Sequence, residues 1–263
     1  MTTPMSTFTP APGAAPLARQ VAAQARMEAR LMLRNGEQLL LAIVVPVIVL
    51  VGGVLGAHRL GLDLDGHEPV DVLAPGVLAL AVMSTAFTSI AIATGFERRY
   101  GVIKRLGASP LPRSGLLLGK VLALLNVVAL QLVVLVVVGL LLGWRPSLDH
   151  PPVSVGAMAL AVAAGTWAFA SLGLLVAGVL RAEATLALAN LVYLLLMAGG
   201  GVVLPTSSYG AASSVIAWLP SAALGDAMRA ALVDARLDGG AIVILLAWGV
   251  LGTFLTARTF RWE

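Results

Sequence analysis

Six long apolar runs constrain the fold of this chain more than any other feature. They cover residues 38–57, 75–95, 116–143, 155–180, 184–204 and 240–257. A helix of about 20 apolar residues crosses the hydrocarbon core of a bilayer, and each run is long enough to do so. Inside lipid, only helices and closed barrels satisfy all of their backbone hydrogen bonds. The runs therefore predict an all-α, polytopic membrane protein with six transmembrane helices.

The composition agrees with this prediction. Apolar residues make up 59% of the chain, charged residues make up 11%, and the mean hydropathy is +0.96. A soluble domain carries about 25% charged residues. Cysteine is absent, which excludes a disulfide framework and a cysteine nucleophile. The three histidines are scattered along the sequence, so we expect no metal site.

The segment before the first run has two parts. Residues 1–16 are rich in Pro, Thr and Ala, which predicts a disordered tail. Residues 17–37 predict an amphipathic helix, because Arg26, Arg30 and Arg34 recur at helical spacing on one face. Such a helix can lie along an anionic leaflet, although a merely solvated arginine face before the first span fits the same pattern.

The basic residues predict the orientation. With a cytoplasmic N-terminus, the 17 Lys and Arg residues all lie on the cytoplasmic side except Arg59, Arg145, Arg229 and Arg236. Cytoplasmic loops carry an excess of Lys and Arg, so we predict that both termini are cytoplasmic. The excess base then faces the inner leaflet and indicates no nucleic-acid partner. Arg far outnumbers Lys, as expected of a GC-rich bacterial genome, and we expect a bacterial cytoplasmic membrane protein.

A basic hairpin at residues 96–115 separates the second and third runs. Charges at this density cannot lie in hydrocarbon, so the hairpin must protrude into water or contact a soluble partner. Residues 97–106 predict a short helix, and residues 109–112 break it because their two prolines lack amide donors. A short charged helix held between two membrane helices would pass the motion of a partner to both of them.

A recognisable pattern runs through this hairpin and into the third run. It consists of Phe96, Glu97, Arg98, Gly101, Lys104, Arg105, Leu106, Ala108, Ser109, Pro110, Leu111, Leu118, Gly119 and Lys120. The pattern resembles the signature of the membrane subunits of ABC-2-type exporters, including the daunorubicin-resistance permeases. The arginine-bearing first helix and the segment around Trp218, Pro220 and Arg229 resemble the same family. Arg99 and Val102 depart from the pattern, which often has Glu and Thr there.

The resemblance implies a function and partners. Such permeases pair as dimers, of identical or different subunits, and each binds an ABC ATPase on its cytoplasmic face. ATP and Mg²⁺ then belong to the ATPase, so this chain is expected to bind no cofactor and to be no enzyme. The expected activity is ATP-driven efflux of an amphipathic drug, lipid or glycolipid-like substrate. Where the substrate is a drug, this activity gives drug resistance.

The resemblance also implies roles for particular residues. The coupling helix would contact the ATPase through Glu97, Arg98, Arg99, Gly101, Lys104, Arg105 and Leu106. The first helix would meet the ATPase or the membrane surface through Arg26, Arg30 and Arg34. Nothing in this chain itself predicts nucleotide binding, because the glycines before Lys120 are too close together and no Ser or Thr follows that lysine.

Polar residues within the spans are few. Ser84, Thr85, Thr88 and Ser89 cluster in the second run, and Asn190 lies in the fifth. They are candidates for a substrate path, and hydrogen bonds between helices are the alternative role.

The segment at residues 205–239 differs from the six runs. Its apolar part, residues 209–219, is too short to cross the membrane and is bounded by Pro205 and Pro220. We predict a re-entrant or external helical segment, followed by an amphipathic helix at residues 221–237.

Two other functions remain open at the level of the sequence. A membrane-embedded enzyme that modifies lipids would have to use the acidic loop residues Asp63, Asp65, His67, Glu68 and Asp71. A membrane anchor or sensor without transport activity would recruit a cytoplasmic protein.

Overall fold

The computed structural model describes residues 15–34, 36–60, 68–102, 105, 111–147 and 150–259. The α-helices in these ranges are α1 (Leu17–Arg34), α2 (Gly36–Leu60), α3 (Pro69–Met83), α4 (Ile90–Arg99), α5 (Arg113–Leu141), α6 (Pro151–Val179), α7 (Ala182–Gly199), α8 (Ser213–Ile216), α9 (Pro220–Leu232) and α10 (Gly239–Thr259). A π-helical segment, Ser84–Ser89, joins α3 to α4, and a 3₁₀ helix, Thr206–Ala212, precedes α8.

Six helices are long and apolar enough to cross a membrane. They are α2, the continuous helix Pro69–Arg99 made by α3, the π-helical segment and α4, and then α5, α6, α7 and α10. The described residues contain no strand, so the predicted all-α fold with six spanning helices is confirmed. With 29 residues, α5 is about 43 Å long, which exceeds a hydrocarbon core of about 30 Å.

The continuous helix Pro69–Arg99 is the centre of the bundle. Of its membrane-spanning stretch, 78% is buried within the bundle, a far larger share than in any of the other five spanning helices. It contacts α2, α5, α6, α7 and α9. The sequence predicted this span at residues 75–95, but helix geometry begins earlier because Pro69 occupies the first turn, where the missing amide donor carries no penalty.

Helix α2 passes through Pro46 without ending. A proline removes the hydrogen bond to the carbonyl four residues before it, here that of Ala42. Gln131 of α5 replaces the missing donor, since its Nε2 donates to Ala42 O at 3.0 Å. The other end of the same amide accepts from Thr85 Oγ1 at 2.6 Å. One buried side chain therefore ties α2, α5 and the π-helical segment together.

The segment at residues 205–239 is organised differently from the prediction. Residues 209–219 form parts of the 3₁₀ helix and of α8, not a single helix. Helix α9 begins at Pro220 and ends at Leu232, whereas the sequence predicted an amphipathic helix at residues 221–237. It is buried along almost its whole length because α3, α6 and α10 surround it. Its small alanine and glycine side chains allow this close packing.

Helix α7 also ends earlier than its apolar run. The run extends to residue 204, but the helix stops at Gly199 and Gly201 takes a left-handed backbone conformation with φ 71°. Glycine adopts this conformation without a steric penalty. Residues 200–204 therefore form a non-helical stretch that lies against α3 and α9, and its backbone carbonyls need other partners.

Candidate functional site

The predicted coupling hairpin begins at one end of the bundle, which we call the basic end. This end holds the last turn of α4, the first turns of α5, the α6–α7 connection and α1. The described residues of the hairpin are 96–102, 105 and 111–115. Of the predicted coupling residues, Lys104 and Leu106 lie outside the described residues.

Three charged side chains form an ionic cluster at the basic end. Lys120 Nζ of α5 lies 2.6 Å from Glu97 Oε1 of α4 and 3.1 Å from Glu28 Oε1 of α1. All three side chains are less than 20% exposed. Gln24 Nε2 donates to the same Glu28 oxygen at 2.9 Å. Because ion pairs are stronger where water is excluded, the cluster binds three helices from different parts of the chain to one another.

Close packing of α1 on α5 brings Glu28 to this cluster. Helix α1 buries Val21, Gln24 and Ala25 against the first turns of α5. A Cβ atom on Gly119 would lie 2.7 Å from Gln24 Cγ, so only glycine fits at that position without a shift. The residue that follows, Lys120, is thereby placed beside α1.

The two arginines after Glu97 bind the neighbouring pair of spans. The Arg98 guanidinium donates to the carbonyl of Ala177 and to that of Leu180 at 3.4 Å, at the end of α6. Cations at a helix C-terminus satisfy unpaired carbonyls and favour the helix dipole. Arg99 forms an exposed ion pair with Glu183 in the first turn of α7. The last turn of α4 is therefore attached directly to α5, α6 and α7, and through Lys120 to α1.

The outermost described part of the hairpin is exposed. Tyr100 is 63% exposed and ends α4, and Gly101 makes the turn with φ 67°. The Arg105 side chain is exposed, and its amide donates to Gly101 O at 3.2 Å. Glu97 and Arg98 contact the chain's own helices, whereas Tyr100 and Arg105 leave surface for a partner. The coupling role of these residues stays a prediction.

Arg26, Arg30 and Arg34 are all exposed on α1. The face of α1 that packs on α5 carries Val21 and Ala25 instead. The arrangement agrees with an amphipathic helix, and what the three arginines contact stays a prediction.

The candidate path residues differ in burial. Thr85 Oγ1 donates a hydrogen bond to Gln131 Oε1, and the Ser84 side chain is hydrogen-bonded to the phenol of Tyr193. Ser89 is buried and Thr88 is half-buried within the bundle. Asn190 lies on the exposed face of α7, apart from this group. Thr85 thus has a partner on a neighbouring helix, Asn190 is exposed on α7, and a substrate path along these residues stays a prediction.

Sequence reasoning assigned no role in the site to Arg229, which organises the opposite end of the bundle. It is 8% exposed and lies within α9. Its guanidinium donates to the carbonyls of Gly201 (2.9 Å), Val202 (3.2 Å), Val203 (3.4 Å) and Leu204 (3.3 Å), and to Asp226 Oδ1 (2.9 Å). An arginine within an alanine-rich helix between two membrane spans is the sequence signal that marks such a residue.

The surroundings of Arg229 are built to hold it. A Cβ atom on Gly76 would lie 2.9 Å from one guanidinium nitrogen, and a Cβ atom on Gly225 would lie 2.8 Å from the other. Both glycines therefore leave the space that the guanidinium fills. Burial lowers the pKa of Arg229 from its usual value, and the neighbouring Asp226 carboxylate opposes that shift. Asp226 is itself held by Thr206 Oγ1 at 2.5 Å.

The acidic loop considered for an enzyme is described only in part. Asp63, Asp65 and His67 lie outside the described residues. Asp71 Oδ1 accepts a hydrogen bond from the Arg145 amide at 3.1 Å, so it ties α3 to the chain after α5. Among the residues that the structure describes, no group of His, Cys, Asp and Glu could hold a metal ion.

Comparison with known proteins identifies the family. No curated protein matches the chain. A family model described as ABC-2 type transporter matches residues 19–233, from α1 through the end of α9. The match includes the basic end and the Arg229 site, and it covers well over half of the chain. The chain therefore belongs to the ABC-2 type transporter family.

Proposed function

We propose that this chain is the membrane half of an ATP-driven exporter whose motor is a separate ABC ATPase. Membership of the family makes it the permease subunit of an ABC transporter and a multi-pass membrane protein. The proposal adds the outward direction, the ATPase on the basic end and a second permease subunit. It also adds a bacterial cytoplasmic membrane with both termini inside, and efflux of amphipathic molecules such as drugs or lipids.

The ionic cluster of Glu28, Lys120 and Glu97 is the observation that supports this proposal best. A force applied to the hairpin acts on α4 and α5 together, because Glu97 and Lys120 are 2.6 Å apart. The same force acts on α1 through Glu28 and on α6 and α7 through Arg98 and Arg99. A partner docked here would therefore move several spans at once.

The exposed charges indicate the kind of partner. Arg26, Arg30, Arg34 and Arg105 are exposed at the basic end. They favour an acidic protein surface for the hairpin and an anionic leaflet for α1. Apart from the clusters at its two ends, the described interior of the bundle holds hydroxyl and amide side chains but no buried charged one, which suits an amphipathic substrate better than a strongly charged one.

Replacing Arg105 tests the docking of the ATPase. We expect Arg105→Glu to lower the permease-stimulated ATP hydrolysis of the co-purified ATPase in nanodiscs by about fivefold. A negative charge in place of the exposed Arg105 on the hairpin would repel an acidic partner surface. The Arg105 side chain is exposed, so the fold should be unaffected. The measurement is ATPase rate against permease concentration, with helix content checked by circular dichroism.

Arg236→Glu is the matched control. Arg236 is also an exposed arginine, but it lies at the other end of the bundle beside Asp234. Equal loss of stimulation in the two variants would contradict docking at the basic end. Failure of any ATPase to co-purify or to be stimulated would favour the anchor function instead.

A further inference from the structure

Helix α7 is covered less by its own chain than any other of the six spanning helices. Of its membrane-spanning stretch, 17% is buried, against 28% or more in each of the other five. It packs on α4, α6 and the π-helical segment, and its buried residues are Ala182, Thr185 and Ala189. The opposite side of the helix, which includes Ala187, is exposed. This side faces either lipid or another protein.

One polar side chain, that of Asn190, is exposed at the middle of α7. About 12 Å of helix or more separates it from Ala182 at one end and from Gly199 at the other. Only long side chains such as those of Lys and Arg reach the membrane surface from within a span, and asparagine is too short to do so. Asn190 forms no hydrogen bond with any residue that the structure describes. Its amide group is therefore unpaired in the middle of an apolar span.

Other exposed polar side chains in the spans have partners within the chain. Asn126 Nδ2 donates to Leu122 O of its own helix at 2.8 Å. Thr253 Oγ1 accepts a hydrogen bond from Trp167 Nε1 at 3.1 Å. Lipid chains offer neither donors nor acceptors, so a polar group within the hydrocarbon needs a partner from protein or from a bound molecule. Asn190 therefore indicates a polar group that comes from outside this chain.

We propose that a second copy of this chain packs against α7 and that Asn190 pairs with Asn190 of that copy. A carboxamide carries both donors and an acceptor, so an identical amide can satisfy both sides of it. A twofold axis places a residue that lies beside the axis next to its own copy, which makes the two hydrogen bonds reciprocal. Ala187, one turn before Asn190, is exposed and small, so two α7 helices can approach each other closely there.

This inference deepens the proposed function, on which it rests for the existence of a second permease subunit. It commits to an identical subunit and names the helix at the interface. Since Glu183 of α7 forms an ion pair with Arg99, the hairpin is attached to the helix that would form this interface. Pairing of the two copies requires neither ATP nor an ATPase. It can therefore be measured with the chain alone, and the absence of an ATPase partner would not change the result.

Disulfide cross-linking tests the position of the interface, because the chain has no cysteine of its own. We expect Asn190→Cys and Ala187→Cys to form covalent dimers when membranes that contain the chain are oxidised with copper phenanthroline. Leu188→Cys is the matched control, since Leu188 is also exposed but lies about 160° around the helix from Asn190. It should cross-link at most about one fifth as well, because a disulfide forms only between closely placed residues. Equal cross-linking of Leu188→Cys and Asn190→Cys, or monomers in every variant, would overturn the proposal.

Variants of the amide test the pairing itself. Energy transfer between copies labelled at the C-terminus is measured in vesicles as the lipid-to-protein ratio rises. Asn190→Leu should weaken the dimer by about tenfold, whereas Asn190→Gln keeps an amide and should weaken it by less than about threefold. Asn126→Leu removes an exposed amide that is already bonded within α5, so it should leave the dimer unchanged. An Asn190→Leu dimer as stable as that of the unaltered chain would overturn the proposal and would favour a substrate or a lipid as the partner of Asn190.

Discussion

Individual polar side chains connect the spans of this bundle more specifically than its apolar surfaces do. Gln131 is 1% exposed and bonds both Thr85 and the carbonyl that Pro46 leaves unpaired. Hydrogen bonds between membrane helices contribute about 0.6 kcal/mol on average. Gln131 should contribute more, because its loss leaves two buried groups without partners.

We predict a non-additive effect of Gln131 and Pro46. Gln131→Leu should lower the free energy of unfolding by about 2 kcal/mol, because Ala42 O and Thr85 Oγ1 lose their partners. Pro46→Ala restores a backbone donor for Ala42 O. In that background, Gln131→Leu should be about 1 kcal/mol less destabilising. The measurement is a double-mutant cycle of detergent unfolding.

Asn126→Leu is the control for this cycle. Asn126 Nδ2 bonds the carbonyl of Leu122 on its own helix and is exposed. Its replacement should therefore change stability little and by the same amount with or without Pro46. Strict additivity of the Gln131 and Pro46 effects would contradict the replacement of the proline's missing donor by Gln131.

The charged residues show what the sequence could and could not predict at this scale. The sequence identified Glu97, Arg98 and Arg99 as a charged group at a helix end, since charges bounded by apolar runs must lie outside the hydrocarbon. It could not assign their partners. Lys120 is 23 residues from Glu97, and Ala177 is 79 residues from Arg98. Such contacts depend on which helices pack together, and the periodicity of one segment does not encode this.

At the level of elements, α9 and residues 200–204 form one unit. Arg229 holds four consecutive backbone carbonyls that the early end of α7 leaves without helical partners. Lysine has no planar fork of donors and cannot replace this arrangement. The order of residues 200–204 therefore depends on the Arg229 guanidinium, which binds four of their carbonyls.

We predict that Arg229→Ala lowers the free energy of unfolding by about 3 kcal/mol, since it removes a buried cation from its carboxylate and from the carbonyls. Arg229→Lys should recover less than half of this loss. Hydrogen exchange should accelerate most in residues 200–208. The measurement is thermal unfolding in detergent combined with exchange mass spectrometry.

Arg236→Ala gives the comparison for that prediction. Arg236 pairs with Asp234, and both side chains are about half exposed, so the pair should contribute less than about 1 kcal/mol. A similar loss in Arg236→Ala and Arg229→Ala would contradict the special role of the buried arginine.

The elements were predicted from the sequence with uneven success. Long apolar runs marked each span, because length and hydropathy suffice for a helix in lipid. A helix was also predicted at residues 221–237, but the burial of α9 was not, since its alanines, Arg229 and Asp226 have the composition of a surface helix. Its burial follows from the three helices around it. The π-helical turn at residues 84–89 had no recognisable signal either, because its sequence also fits an α-helix.

At the scale of the whole molecule, the two ends of the bundle differ in charge. The hairpin and α1 make one end basic, while Asp71, Asp226, Asp234 and Asp238 lie in or beside the connections at the other. From the positive-inside rule we predict that the basic end faces the cytoplasm.

Single cysteines test this orientation cleanly, because the chain has none of its own. We expect Arg105→Cys to react with a membrane-impermeant maleimide only in inside-out vesicles. Ser208→Cys, at an exposed position of the 3₁₀ helix, should react only in right-side-out vesicles or spheroplasts. Labelling of Arg105→Cys from the outside would overturn the predicted topology and the docking of an ATPase at the basic end.

The widened turn at Ser84–Ser89 has a consequence for the distant basic end. The hydrogen bonds of this turn close over five residues instead of four, so it takes up one more residue than an α-helical turn for nearly the same rotation about the axis. Each residue of an α-helix advances the chain by about 100°, so α4 would be rotated by about that angle if the same residues were α-helical. Glu97 would then face away from Lys120, and Arg98 would face away from α6. The direction in which the hairpin points therefore depends on the widened turn deep within the bundle, and a change of that turn to α geometry would misalign the charged end without altering any of its residues.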